Sequence, residues 1–272
     1  MAMHLGIFSW YGYKPPLPLR LKKIKEVGFD STMLWWGNEL VTNQSPDAEI
    51  LNLAIDLGLI IENIHVPFDE ANLIWSTNKE IRNKFIARHI HYLECCSQYH
   101  IPMIVMHISK GVDIKEPNNA GLDAMQGIIE TAEKTGVIVA IENTRKPNLI
   151  EAILDTIKSD YLGLCYDTSH GKLYESTEFG LLKKYPDRLK CLHISDNDGV
   201  EDRHWCIGEG IIDWTRFIGC FPYQRYKGTL AVEVYPKNQT ELELEHLYQA
   251  YTGIKVLRDK IYHRYGDYEV KV

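Results

Sequence analysis

Short apolar runs rich in β-branched and aromatic residues recur along the chain, at residues 4–10, 31–36, 59–68, 103–109, 137–144, 162–170, 189–196 and 228–236. Runs of this length and composition predict eight strands. Between them the apolar residues fall three and four apart, as in Ile81, Phe85, Ile86, Ile90 and Leu93, or in Leu244, Leu247, Tyr251, Ile254 and Ile261. That spacing puts them on one face of a helix. Gly28, Gly58 and Gly136 each stand between a helix and a strand, where a left-handed residue can end the helix. Strands that are apolar throughout, rather than alternating, suit a parallel sheet covered by helices. Eight such units predict an α/β fold, a (β/α)8 TIM barrel, as a single domain over residues 1–272. An open doubly wound sheet is the alternative. Against it, no G-x-G-x-x-G follows the first strand, where Gly6-Ile7-Phe8-Ser9-Trp10 runs on into Tyr11-Gly12-Tyr13.

Composition adds limits. With 45% hydrophobic and 25% charged residues the chain is an ordinary globular one, which excludes a disordered, collagenous or coiled-coil protein. Thirty Lys+Arg against 37 Asp+Glu give a net charge of −7, which disfavours holding nucleic acid by bulk positive charge and leaves only a local basic rim open. No apolar stretch is long enough to span a membrane, and the first ten residues lack a signal pattern, so a cytoplasmic location without a membrane partner is expected. Six Cys without a C-x-x-C pair read as buried thiols, not as disulfides or a zinc finger.

In such a barrel the chemistry gathers at the C-terminal ends of the strands. Those ends carry His65, His107, Glu142, Asp167 with His170, His193, and Glu233. Strand ends and their first loop residues make up roughly a fifth of a barrel, so about two of the eleven His would fall there by chance. Four do, and His204 follows in the loop after the seventh strand. Any one could be a buried His satisfied by backbone. As a group, ionisable residues ending apolar strands are costly to bury unless they are paired or hold a metal.

Imidazole nitrogen with carboxylate oxygen, and no thiolate, suits Zn, Mn, Co or Fe as a divalent ion. Glu142, Asp167, His193 and Glu233 supply four ligands on one side and leave room for substrate. Asp202 and His204 could add ligands or lie in a solvated charged loop. Asp213 reads as a helix N-cap. Trp10, Trp35, Trp36, Phe68, Trp75 and Trp205 are core or sugar-stacking residues, and Lys110, Lys172 and Lys237 could meet a phosphate or carboxylate.

These residues and motifs resemble the xylose isomerase-like TIM-barrel superfamily, which includes sugar phosphate isomerases and epimerases and endonuclease IV. The resemblance runs from Gly6-Ile7-Phe8-Ser9 to Glu233. It implies one divalent metal per chain on Glu142, Asp167, His193 and Glu233, with Glu142 and Glu233 acting as acid and base on opposite faces of the substrate. It also implies that His65, His107, His170 and Arg203 contact substrate. A small-molecule carbohydrate substrate is then expected, with a homo-oligomer compatible. A dehydratase using the same metal-bound enediolate is a further option.

The same resemblance supports a rival. The three-zinc ligand set of endonuclease IV can be matched at His65, His107, Glu142, Asp167, His170, His193, Asp202, His204 and Glu233, with Asp167-Thr168-Ser169-His170, Asp202-Arg203-His204 and Gly208-Glu209-Gly210 fitting its motifs. Departures fall where DNA would be touched. Ile108-Ser109-Lys110-Gly111 replaces a proline and a glycine, Phe68 replaces a tyrosine, and Trp35-Trp36-Gly37-Asn38 lacks basic residues. The expectation is therefore a metal-dependent isomerase or epimerase of a small sugar, sugar phosphate or polyol, ahead of a zinc-dependent abasic-site endonuclease.

Overall fold

Each of the eight apolar runs contains a strand. In the computed structural model, which describes residues 3–238 and 240–266, they are β1 (Leu5–Phe8), β2 (Ser31–Trp35), β3 (Ile60–His65), β4 (Met103–Met106), β5 (Ile138–Glu142), β6 (Leu162–Asp167), β7 (Leu189–His193) and β8 (Leu230–Val232). They form one parallel sheet in the order β8-β1-β2-β3-β4-β5-β6-β7. A parallel bridge between Ile194 and Val232 joins the two outer strands, so the sheet closes as a TIM barrel.

The strands stop earlier than the apolar runs. Asp167 shows why: its carboxylate accepts the backbone N–H of His170 at 2.7 Å and becomes the N-cap of α6 (Thr168–Tyr174), turning Thr168, Ser169 and His170 from strand into helix. Asp213 likewise caps α8 (Trp214–Cys220) by accepting from the Arg216 N–H at 2.9 Å. Gly28, Gly58 and Gly136 all have positive φ, at 114°, 70° and 73°.

Two helical faces differ from expectation. On α3 (Lys79–Gln98), Ile81 is exposed and the buried face is Phe85, His89, Tyr92, Leu93 and Cys96. His89 tolerates that position because its Nδ1–H donates to Phe85 O at 2.9 Å. On α9 (Glu243–Tyr265), Leu244 is exposed while Leu247, Ile254 and Ile261 are buried. A small antiparallel hairpin, Val41–Thr42 with Ser45–Pro46, follows β2; its turn residues Asn43 and Gln44 both have positive φ. The apolar pattern gave no sign of it.

Inside the barrel, Val105, Ala140, Cys165 and Cys191 pack together with Met103. Each of the first four stands two residues before a site residue, His107, Glu142, Asp167 and His193. The two-residue period of a strand therefore aims all eight at the axis. The apolar layer is the floor on which the polar layer rests. All six Cys are free, and all but the half-buried Cys220 are buried. Among the described residues, no helix is long and apolar enough to cross a membrane.

Candidate metal centre and active site

Glu142, at the end of β5, is the hub of the polar layer. Its Oε2 lies 3.1 Å from His65 Nε2, 3.1 Å from His107 Nε2 and 3.3 Å from His193 Nδ1, and its Oε1 lies 3.0 Å from His170 Nδ1. Glu233, just past β8, brings Oε2 to 2.8 Å from His193 Nδ1. On the other side, Asp202 Oδ2 meets His170 Nε2 at 2.9 Å and His204 Nε2 at 3.2 Å. The nine candidate ligands thus form one continuous cluster, with Asp202 at its half-exposed edge.

The Asp167-Thr168-Ser169-His170 motif builds much of it. With Asp167 Oδ1 spent on the N-cap, Oδ2 is left buried and without a hydrogen-bond partner. Thr168 Oγ1 donates to Ser195 O at 2.6 Å and accepts from Ser195 N at 2.9 Å, latching α6 to the chain leaving β7. Ser169 Oγ donates to Asp202 Oδ1 at 2.6 Å. His204 is held in the left-handed region, at φ 49°, an uncommon conformation for a residue with a Cβ.

Asp196 organises the loop that carries Asp202 and His204. Its carboxylate accepts from Gly208 N, Ile212 N and Trp214 Nε1, each at 3.0 Å, and it is fully buried. Gly210 packs so closely on it that a Cβ there would fall 2.4 Å from Asp196 Oδ1 and 2.1 Å from Asn197 O. The Gly208-Glu209-Gly210 turn is therefore a consequence of this anchor.

The donor set fits a divalent cation. His65 Nδ1–H donates to Val66 O at 2.9 Å, so in the neutral ring the bare lone pair of Nε2 faces Glu142 Oε2. Two acceptors in opposition need a proton or a metal ion between them. His193 Nδ1, close to both glutamates, is hydrogen-bonded to neither. Ligand atoms about 2.1 Å from one tetrahedral ion would lie about 3.4 Å apart, close to the spacings seen here. Ligand atoms within 4.8 Å of one another group as Glu142, Asp167, His193 and Glu233; as His65, His107 and Glu142; and as Asp167, His170 and His204.

The electrostatics reflect the same crowding. Burial pushes Asp167 up to about 6, partly offset by His170 and His204. Burial would also raise Glu142, but His193, His107 and the imidazole hydrogen bonds hold it well below the usual carboxylate range. Burial opposes charge on His193, yet Glu142 and Glu233 raise it well above an ordinary imidazole.

The cluster opens into a cavity of about 700 Å³, lined by Phe8, Trp10, Trp35, Phe68, Tyr174 and Tyr235 among others. Trp10, Trp35 and Phe68 thus face the site. Trp36 and Trp75 are buried, the latter donating Nε1–H to Ile108 O at 2.6 Å, and Trp205 packs under Lys237.

Several expectations need correcting. Arg203 does not line the cavity. It is exposed, pairs with Asp198 at 2.9 Å and Glu201 at 2.7 Å, and leans over Trp205. Alternating directions along the Asp202-Arg203-His204 loop send its two neighbours inward and Arg203 outward. Lys172 pairs with Glu178 and Lys237 donates to Glu209 O, so of the three lysines only Lys110 reaches the cavity. A thiol does approach: Cys165 Sγ groups with Glu142 and His193, but burial raises its pKa far above neutrality and keeps it protonated. Sequence reasoning also passed over Arg145 in the cavity wall and Glu62 on β3. Glu62 is buried, one oxygen accepting from Thr229 N at 3.1 Å and the other unpartnered, and burial pushes its pKa up to about 7. A carboxylate inside an apolar run carries no signal of which way it points.

Fold and cluster together define a TIM barrel with a ligand-rich centre at the C-terminal mouth. The model of the xylose isomerase-like TIM barrel family matches residues 21–251, and the chain belongs to that family. A solved L-ribulose 3-epimerase superposes with a TM-score of 0.81 at 16% identity, covering 100% of this chain and 99% of that one. The chain is 31% identical to the protein y4fM of Sinorhizobium fredii over 44% of its own length and 38% of the relative's. It is 28% identical to a probable endonuclease 4 of Cenarchaeum symbiosum over 55% of its own length and 61% of the relative's. The matches span less than two thirds of both curated relatives.

Proposed function

We propose that the protein is a divalent-metal-dependent isomerase or epimerase of a small carbohydrate or carbohydrate derivative. One observation carries this reading: Glu142 and Glu233, from different strands, converge on His193 at the floor of a cavity walled by aromatic rings. Glu142, Asp167, His193 and Glu233 would hold one ion of Zn, Mn, Co or Fe, which when bound offsets negative charge developing on a substrate carbonyl oxygen. Glu142 and Glu233 then stand to take a proton from the carbon beside that carbonyl and to return it, from opposite faces in an epimerase or between neighbouring carbons in an isomerase. His65, His107 and His170 orient Glu142 and offer hydrogen bonds to substrate hydroxyls. Trp10, Trp35 and Phe68 give the apolar face of a sugar a surface to stack on. Elimination after the same proton abstraction would make the protein a dehydratase. Six free thiols suit a reducing, cytoplasmic setting.

The test is solvent exchange. Purified protein supplied with Mn²⁺, Co²⁺ or Zn²⁺ is incubated in D₂O with a panel of ketoses and their phosphates, and deuterium at the carbon beside the carbonyl is followed by NMR. No exchange in any member with metal bound would sink the reading.

A second reading is favoured by the continuity of all nine ligand-type residues, Asp202 joining through His170 and His204, and by the endonuclease 4 relative. It is a three-zinc phosphodiesterase acting at abasic sites in DNA, and about three tightly held zinc ions per chain with abasic-strand cleavage would establish it.

A further inference from the structure

Among the described residues, the Arg and Lys side chains that line the cavity are Arg20, Lys110 and Arg145. Two are already neutralised. Arg20 is buried and donates to Ser9 O at 2.7 Å, to Pro15 O at 3.0 Å and to Glu39. Lys110 pairs with Asp69 at 2.5 Å. Arg145 is exposed and has no carboxylate partner among the described residues; its guanidinium lies 4.8 Å from the Tyr174 ring centre. Tyr174 in turn lies 5.9 Å, ring to ring, from His170. Stacking through the flat face leaves the N–H donors at the guanidinium edge free.

The backbone that carries Arg145 is fixed. Asn143 exchanges hydrogen bonds with the Asp167 backbone, donating to its carbonyl at 2.9 Å and accepting from its N–H at 2.6 Å. Thr144 and Ser109 hydroxyls meet at 2.9 Å. A cation placed this firmly beside the ligand cluster, with its donors unused, is prepared for an oxyanion.

We propose that Arg145 is the oxyanion-recognising residue of the cavity and that its ligand is a phosphate group on the substrate, remote from the reacting carbon. This deepens the isomerase or epimerase reading and rests on it for the phosphate's being a sugar ester. A DNA phosphodiester presents the same chemistry from another source.

The first measurement does not depend on turnover. Inorganic phosphate is titrated calorimetrically into the Mn²⁺-loaded wild type, Arg145→Gln and Arg145→Lys, after checking that their melting temperatures agree. Loss of the charge-assisted contact weakens phosphate binding about 10-fold or more in Arg145→Gln, with Arg145→Lys in between. Equal affinity in wild type and Arg145→Gln overturns the proposal.

Exchange kinetics with a panel ketose that the wild type turns over, and with its phosphate ester, then identify the source. Arg145→Gln shifts the ratio of the two KM values by about 10-fold against the ester if the ligand is a sugar phosphate; an unchanged ratio overturns that assignment. Absence of exchange with every ketose and ketose phosphate of the panel in the wild type defeats the isomerase reading and leaves the phosphate titration to judge Arg145. Cleavage of abasic duplex by the wild type, with about 10-fold weaker duplex binding in Arg145→Gln, supports the residue's role and overturns the sugar ester as its ligand.

Discussion

Glu233 Oε2 lies 2.8 Å from His193 Nδ1, and neither the glutamate nor the histidine can be moved without disturbing the other. Replacing Glu233 with Gln keeps the shape and removes the charge. Solvent exchange into a turned-over sugar is expected to fall about 10² to 10⁴-fold in Glu233→Gln, and similarly in Glu142→Gln. Near-wild-type exchange in either variant, with circular dichroism unchanged, would remove that glutamate from the mechanism.

Metal removal should destabilise as well as inactivate. The buried cluster contains Glu142, Asp167 and Glu233 carboxylates, which repel one another when no cation sits among them. Dialysis against a chelator is expected to lower the melting temperature, and about one equivalent of Mn²⁺, Co²⁺ or Zn²⁺ should restore it. A midpoint that ignores metal content would count against the centre.

Asp196 tests the loop. Asp196→Ala strands the buried Asn197 and Ile212 N–H groups and the partly buried Gly208 N–H and Trp214 indole N–H, at a cost of about 3 kcal/mol or more. Urea denaturation reads the loss. Asp196→Asn, which keeps one acceptor oxygen, should recover part of it, whereas equal losses in the two variants would point to volume, not hydrogen bonding.

Arg203→Ala should leave the urea denaturation midpoint unchanged, because its ion pairs with Asp198 and Glu201 are at the surface. Activity should follow wild type. A large rise in KM would show that the loop turns Arg203 into the cavity when substrate binds.

His89 gives a pH signature away from the site. Burial lowers its pKa from 6.5 to about 4, against a weaker opposite pull from its bond to Phe85 O. Between those values the unfolded chain binds the proton and the folded one does not, so stability is lost as pH falls from 6.5 to 4, by about 3 kcal/mol. Buried Glu62 and half-buried Glu175, both raised to about 7 chiefly by desolvation, act in the other direction over pH 4.5 to 7. The His89 contribution is therefore read as the gap between wild type and His89→Gln, which should narrow toward pH 4. A constant gap would mean that His89 keeps its proton.

The barrel was legible because burial on both faces leaves most strands few polar positions before their ends, with Glu62 and Asn63 on β3 as exceptions, so that His65, Glu142, Asp167 and His193 stand out where each strand stops. Side-chain direction in loops was not legible. Arg203 matches a motif yet points to solvent, while Arg145, three residues past Glu142, reaches the cavity without any distinguishing pattern. Local hydrogen bonding decides such cases, and it depends on partners such as Asp198 and Tyr174 that only the fold brings near. The hairpin after β2 was missed for a related reason: its two short strands, Val41–Thr42 and Ser45–Pro46, are too brief to establish a period.

Four imidazoles from four different strand ends lean on the single carboxylate of Glu142. That geometry makes evolutionary drift in this cavity one-sided. A lineage could shed His65 with His107, or Asp202 with His204, and still keep a working centre on the remaining ligands. Loss of Glu142 would unseat all four at once, so substitutions at these histidines should prove strongly epistatic with it and nearly independent of one another.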